Sequence, residues 1–460
     1  MTDPRVHLKR TITLVPLIGI EVGQSIGAGI FALTGLALAR TGPSLPLAFV
    51  AAAVLVSLAM AVLAMVGSGH PVSGGTYYYG SRYFSPVASF TGVWAYLLGA
   101  VLGMFPLFAL TGARFLQAVF PSLPLLPTAL VLLLLFYVTN LFGVQLAMWV
   151  QAAMVGVLFV ALAVFIGAGL PRVDAASFRP LFTGGVGGFA VASALLTFTV
   201  LGANAAVELG DEIVDPSRTI PRSFLVSIPV VTAIYVAIGV VVAGAGPWNG
   251  AADGALTGVA ASILSRPLFL FFVIGGGFLA VVTTLNATYL WGTKSLLLIA
   301  GDGLLPRRLA AVSRRFGTPH WLLTVIAALS CVSLYVAGDS VETFAIFASL
   351  GGIIIFIPVM IAALRLRRRF PDVYQRSTVR LRGAMYWIAP IGGLVLCLLV
   401  VAILFVDLFS RDRAWLFLGV FVGWMACGAG WAWARRRYLA RRARGQPARC
   451  GPPAAGDQRG

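Results

Sequence analysis

The sequence predicts an all-α integral membrane protein with about twelve transmembrane helices. Three observations predict it. Of the 460 residues, 59% are hydrophobic and only 10% charged, whereas a soluble domain carries about 25% charged residues. Apolar runs long enough to cross a bilayer recur at about twelve places. Finally, Lys and Arg gather between alternate runs. With the N-terminus placed in the cytoplasm, 26 of the 33 fall in cytoplasmic segments, and seven (Arg40, Arg114, Arg172, Arg179, Arg266, Arg411 and Arg413) fall outside. That is the positive-inside asymmetry, and it predicts that both termini are cytoplasmic.

In chain order, the predicted helix cores are 12–38, 44–67, 87–112, 124–142, 147–170, 184–207, 224–245, 267–295, 321–337, 342–364, 385–408 and 413–434. Most connections are short. The longer ones, 70–86, 210–222, 297–319 and 365–382, all lie on the predicted cytoplasmic side. The first run is too long for the apolar core of a cleavable signal peptide, so it is expected to remain as a span. Residues 435–460 are rich in Arg, Gly and Pro and read as a basic helix end that fades into disorder.

The net charge of +18 invites a nucleic-acid reading. Its distribution follows topology instead, with attraction to anionic lipid as a further consequence. Cys331, Cys397, Cys427 and Cys450 show no metal-like spacing, so neither a disulfide framework nor a metal site is expected. No cofactor is expected either. There is no P-loop or catalytic constellation, so an enzyme is not expected.

Two predicted helices are interrupted near their middles. The first span carries Gly27-Ala28-Gly29, and the sixth carries Leu201-Gly202-Ala203-Asn204-Ala205. Glycine frees the backbone to leave the helix. Unpaired backbone groups in hydrocarbon cost several kcal/mol each, so a break must face protein or a water-filled cavity. The breaks are five helices apart, so the two spans run in opposite directions. Broken helices in corresponding positions of two halves point to an inverted-repeat transporter site at the membrane midplane.

At these residues the chain resembles the amino acid–polyamine–organocation superfamily of permeases. Ile26-Gly27-Ala28-Gly29-Ile30-Phe31 is close to the family's IGSGIF signature, with Ala28 in place of Ser. Pro71-Val72-Ser73-Gly74-Gly75-Thr76-Tyr77 followed by Ser85-Pro86 resembles PxSGGxY…SP. Asp211-Glu212 with Asp215-Pro216-Ser217-Arg218-Thr219-Ile220-Pro221-Arg222 resembles EExxNPxRxIPR. Gly301-Asp302-Gly303-Leu304-Leu305-Pro306 and Gly317-Thr318-Pro319 complete the set. The resemblance covers most of residues 10–370.

It implies a LeuT-like fold: a 5+5 inverted repeat with helices 1 and 6 broken, plus two peripheral helices. The expected organisation is a cytoplasmic tail (1–11), a transport core (12–366), peripheral helices with a basic loop (367–434) and the basic tail (435–460). It also implies secondary transport of amino acids or related amines by a multi-pass protein of a bacterial cytoplasmic membrane.

The opened helices suit an amino-acid backbone. N–H groups at a half-helix N-terminus receive a carboxylate, and carbonyls at a half-helix C-terminus receive an ammonium. Ile26, Gly27, Ala28 and Gly29 match the family's carboxylate-binding break, and Gly202, Ala203 and Asn204 form the opposing one. A small-residue packing face is the alternative for the glycines. Phe198 stands one turn before Gly202, where family members place an aromatic that closes over the substrate; it can equally be a packing residue. Several relatives have an acid at the position of Asn204, so its neutral amide disfavours a strongly cationic substrate, though it can also cap the break.

Glu21 and Glu208 flank the breaks. Intramembrane acids are proton-relay candidates by default, and a proton is the expected coupling ion. The alternative for both is a gate contact, for instance with Lys294 or Arg82. Some relatives place a Lys in helix 5 that substitutes for sodium; Leu158 occupies that place here. Thr283 and Thr284 are possible sodium ligands, unless their hydroxyls bond back to their own helix.

Asp211, Glu212, Arg218 and Asp302 are candidate cytoplasmic gate residues, with Arg222, Arg307 and Arg308 as further partners. The competing readings are an amino acid/amine exchanger, a transport-inactive sensor of the same fold, and a channel. A sensor is expected to add a structured module that the short tail does not offer. A channel is expected to show a continuous polar pore.

Overall fold

With no water to bond in hydrocarbon, the backbone of each apolar run pairs within its own segment, and the runs fold as helices. The computed structural model describes residues 10–142, 148–245, 255–285, 288, 298–300, 302–305, 311, 313, 318–338, 340–411 and 413–445. Within them the secondary structure is helical, apart from two isolated backbone bridges.

The first span is two helices, α1 (Leu14–Ser25) and α2 (Ala28–Thr41), separated by Ile26 and Gly27. A turn at Gly42–Ser44 leads to α3 (Leu45–Gly69), and the short helix α4 (Gly75–Tyr83) follows. Next come α5 (Pro86–Gly99) and α6 (Phe105–Val119), joined through one wide π turn, Ala100–Met104. Helices α7 (Leu125–Leu141) and α8 (Met148–Gly169) precede α9 (Gly185–Val200). A tight 3₁₀ segment, Leu201–Asn204, then separates α9 from α10 (Ala205–Glu208). The chain continues through α11 (Pro216–Gly244), α12 (Ala255–Ile263) and α13 (Arg266–Phe271), whose helix runs on through a π segment, Phe272–Phe278, to Leu285. The last helices are α14 (His320–Ala337), α15 (Val341–Ile354), α16 (Ile357–Arg369), α17 (Pro371–Arg376), α18 (Met385–Phe409) and α19 (Ala414–Gly445).

Ten helical stretches among the described residues are long and apolar enough to cross a membrane, one of them being α2 and α3 taken together. Helices α1 and α7 are apolar but shorter. Every predicted core meets a helix within a few residues, except that residues 286–295 lie mostly outside the described residues. The final helix runs on through the arginines to Gly445; residues 1–9 and 446–460 also lie outside the description. The wide turns in the third and eighth spans are new findings, since a π turn leaves no distinct composition in an apolar run.

Packing places the two breaks at the centre. Helix α3 lies along α11 and α9, and α2 along α9. Both ends of the bundle carry charge, arranged differently. At one end the basic loops interlock. The Ile12 amide donates to the Glu212 carbonyl at 3.0 Å and the Val214 amide to the Ile12 carbonyl at 2.8 Å. Tyr83 packs edge-on against Phe370, and the Arg365 guanidinium lies 4.7 Å above the Phe84 ring. At the other end sit Arg40, Glu342, Asp407 and Arg411. Arg82, Arg365 and Arg435 share the first end.

Candidate functional site

Gly27 is where α1 and α2 part, and the reason for a glycine is Thr284, far along the chain. A Cβ added there would lie 2.1 Å from the Thr284 hydroxyl oxygen. That hydroxyl accepts from the Ala28 amide at 2.9 Å and donates to the Ala280 carbonyl at 2.7 Å. The first N–H groups of a helix have no partner within it, so Thr284 caps one of them from another span. Thr283 also donates to the Ala280 carbonyl, at 3.0 Å. Both hydroxyl protons therefore point back to their own helix.

The second break touches the first. A Cβ on Gly202 would lie 2.3 Å from the Ser25 amide nitrogen, so here the two backbones are in direct contact. The Tyr235 hydroxyl, on α11 and fully buried, donates to the Ser25 carbonyl and lies 3.1 Å from the Thr199 carbonyl. These carbonyls belong to the C-terminal ends of α1 and α9, where helices leave acceptors unpaired. Tyr235 was not among the predicted site residues. A lone tyrosine in the apolar seventh run was the available signal.

Phe198 is half-buried beside the break. Its ring atoms lie 3.7 Å from where a Cβ on Gly29 would stand, and the ring stacks on Phe108 with centroids 6.1 Å apart. Ile26, Ala28 and Ala203 are buried. The structure therefore brings Ile26–Gly29, Phe198, Gly202 and Thr284 together. Asn204 looks elsewhere: its Oδ1 accepts from the Thr76 hydroxyl at 3.1 Å. The Thr76 amide in turn donates to Glu208 Oε1 at 3.2 Å. One threonine in the first turn of α4 thus joins that helix to the end of the sixth span.

Glu21 is fully buried. Its Oε1 accepts from the Ser223 hydroxyl at 2.6 Å, while Oε2 has no hydrogen-bond partner among the described residues. Ser227, one turn along α11 on the same face, is buried and also lacks a partner. Arg82, one of the gate partners considered for Glu21 and Glu208, pairs with Asp302. Lys294 lies outside the described residues.

That Arg82–Asp302 pair is 2.8 Å long, and the Tyr77 hydroxyl donates to the same carboxylate at 2.8 Å. Burial, reinforced by the Asp302 charge, pushes the Tyr77 phenol well above its ordinary pKa and keeps it a donor. Arg307 and Arg308, the expected partners of Asp302, lie outside the described residues. Asp211 accepts from the Ser73 amide at 2.9 Å. Glu212 holds the N-terminal segment through its carbonyl. Arg218 faces Asp215 at 3.9 Å with both side chains largely exposed, a pair worth about 0–1 kcal/mol.

At the opposite end four charges close a ring of alternating sign. Arg40 lies 3.4 Å from Glu342 and 3.5 Å from Asp407. Arg411 pairs with Glu342 and, at 3.0 Å, with Asp407. The ring ties together the ends of α2, α15 and α18.

Paired helix breaks inside a bundle of apolar helices define the class: a multi-pass integral membrane protein built as a transporter. The amino acid permease family matches residues 12–427, and the chain belongs to that family. An uncharacterised transporter of Mycobacterium tuberculosis is 29% identical over 98% of this chain and 99% of its own length. The methylthioribose transporter of Bacillus subtilis is 26% identical over 80% of this chain and 83% of its own. The branched-chain amino acid permease BcaP of the same organism is 26% identical over 81% and 84%.

Proposed function

We propose that this protein is a secondary active permease that carries neutral amino acids across a bacterial cytoplasmic membrane by alternating access, coupled to protons. The observation that carries the reading is the contact of the two breaks at Gly202 and Ser25. It places the N-terminus of α2 and the C-terminal ends of α1 and α9 around one point. The first N–H groups of α2 suit a carboxylate, and the carbonyls facing it suit an ammonium. Ile26, Gly27, Ala28, Gly29, Gly202 and Ala203 form the backbone cradle, with Phe198 as its cover. Asn204, bound to Thr76, transmits the state of this cradle to the basic end.

In this reading residues 12–366 form a LeuT-like core of two inverted five-helix repeats, and the last two spans are peripheral, making twelve crossings with both termini cytoplasmic. Glu21 is the favoured proton carrier because one of its oxygens has no partner among the described residues. Glu208 is engaged by Thr76 and is the second choice. Asp302, Asp211, Glu212 and Arg218 belong to the cytoplasmic gate, with Arg82 added as the partner of Asp302.

BcaP supports a branched, uncharged side chain. The methylthioribose transporter supports a second substrate class, a thio-sugar without a carboxylate. A thermal-shift screen of the purified protein against amino acids, amines and methylthioribose separates the two, because a ligand stabilises by mass action. Uptake of the leading compound into proteoliposomes, with and without a pH gradient, then tests coupling. Stabilisation confined to compounds lacking a carboxylate overturns the cradle reading.

A further inference from the structure

The last helix ends in a basic, aromatic segment with two distinct faces. Trp431 and Arg435, four residues apart, share one face. The Trp431 indole N–H donates to the Leu304 carbonyl at 2.6 Å, and the Arg435 guanidinium to the Gly303 carbonyl at 2.8 Å. The turn they hold follows directly on Asp302, the acceptor of Arg82 and Tyr77. The other face is exposed. Trp433 is about half accessible, Arg436 and Arg437 are exposed, and the Arg437 guanidinium stacks 3.6 Å above the Trp433 ring, while Tyr438 stays on the first face under the Arg435 guanidinium. Arg441, Arg442 and Arg444 follow in the same helix, and α19 contains no acidic residue.

We propose that this helix end is a docking surface for anionic phospholipid, and that lipid bound there steadies the Asp302 turn. The charge is complementary to a phosphate-rich surface. The position also fits, because an exposed Trp at the end of an apolar span settles at headgroup depth. Stacking on Trp433 holds the Arg437 cation at that depth. Headgroups that fix the outer face restrict the helix end, and the same helix end grips Gly303 and Leu304 through its inner face. The lipid surface therefore reaches the Arg82–Asp302 pair through one rigid helix and two hydrogen bonds.

The test needs no transported substrate. Hydrogen–deuterium exchange of the full chain is followed at residues 302–305 in phosphatidylcholine nanodiscs, alone or with about one third phosphatidylglycerol. Phosphatidylglycerol is expected to slow exchange there about fivefold per engaged arginine, the factor that corresponds to about 1 kcal/mol per headgroup-facing cation. Arg436→Gln with Arg437→Gln is expected to remove the gain, and Arg436→Lys with Arg437→Lys to keep it. Trp431→Phe with Arg435→Gln is expected to remove it while leaving the outer face charged. Equal exchange in the two lipids overturns the proposal. So does a gain that survives the glutamine pair, or one produced by inorganic phosphate added to phosphatidylcholine discs.

Discussion

The amide of Ala28 and the hydroxyl of Thr284 meet at 2.9 Å across 256 residues of sequence, and that bond explains why position 27 is glycine. The oxygen fills the space a side chain at 27 would need. Gly27→Ala is therefore expected to destabilise the protein by about 1–3 kcal/mol, as overpacking does. Thr284→Ala alone is expected to cost about 1 kcal/mol for the lost bond. Combined, the two are expected to cost less than their sum, because deleting the hydroxyl makes room for the methyl. Thermal unfolding of the wild type and the three variants in detergent checks this, and strict additivity would show that the clash is not what restricts position 27.

Glu21→Gln is expected to keep the Ser223 bond and abolish the response of uptake to an imposed pH gradient. The amide is nearly isosteric but carries no exchangeable charge. Ser223→Ala is expected to preserve the response and shift its midpoint. Uptake in Glu21→Gln proteoliposomes that still follows the gradient as in the wild type would move the proton elsewhere, with Glu208 next to be tested.

Tyr235→Phe keeps the ring and removes the single proton that serves the Ser25 and Thr199 carbonyls. Buried acceptors left unpaired cost about 1–3 kcal/mol. The expected result is a fall in maximal uptake rate of about tenfold, from the same loss of positioning energy, with a smaller change in apparent affinity. An unchanged rate would mean that the two half-helix ends are held by packing alone.

Arg82→Gln and Asp302→Asn are expected to give the same phenotype, and the double variant no more than either. Their pair is partly exposed, so the coupling energy is expected near 1 kcal/mol and weaker at high salt. A double-mutant cycle on unfolding measures it. A cycle that closes on zero at low salt would leave Tyr77 as the significant partner of Asp302 among the described residues.

In the four-charge ring, Arg411→Gln is expected to be more damaging than Arg40→Gln. Arg411 is the less exposed arginine and makes the shorter contact to each acid. Losing it leaves the nearly buried Asp407 side chain with a single, longer contact to Arg40. The expected loss is about 3 kcal/mol, in the range for a broken buried pair, and equal unfolding of the two variants would contradict it.

Much of the architecture is local and was therefore legible in the sequence. A run of apolar residues in hydrocarbon has to be helical, because its backbone finds no other partner. Length and glycine placement mark where a run ends or opens, so the interruptions at Gly27 and Gly202 could be located from the chain alone. The clustering of Gly27–Gly29 with Gly202 and Phe198 was anticipated from the motifs of the family.

Only the tertiary structure decided which polar groups meet, because hydrogen bonding between spans depends on how helices rotate and pack, and no periodicity within one span encodes it. Thr284 at the N-terminus of α2, Tyr235 across two carbonyls, Ser223 on Glu21, Thr76 between Asn204 and Glu208, and Arg82 on Asp302 are all such contacts. Each joins residues far apart in the chain. The sequence alone determined the helices and the places where they open; the packing of those helices determined what each opening faces.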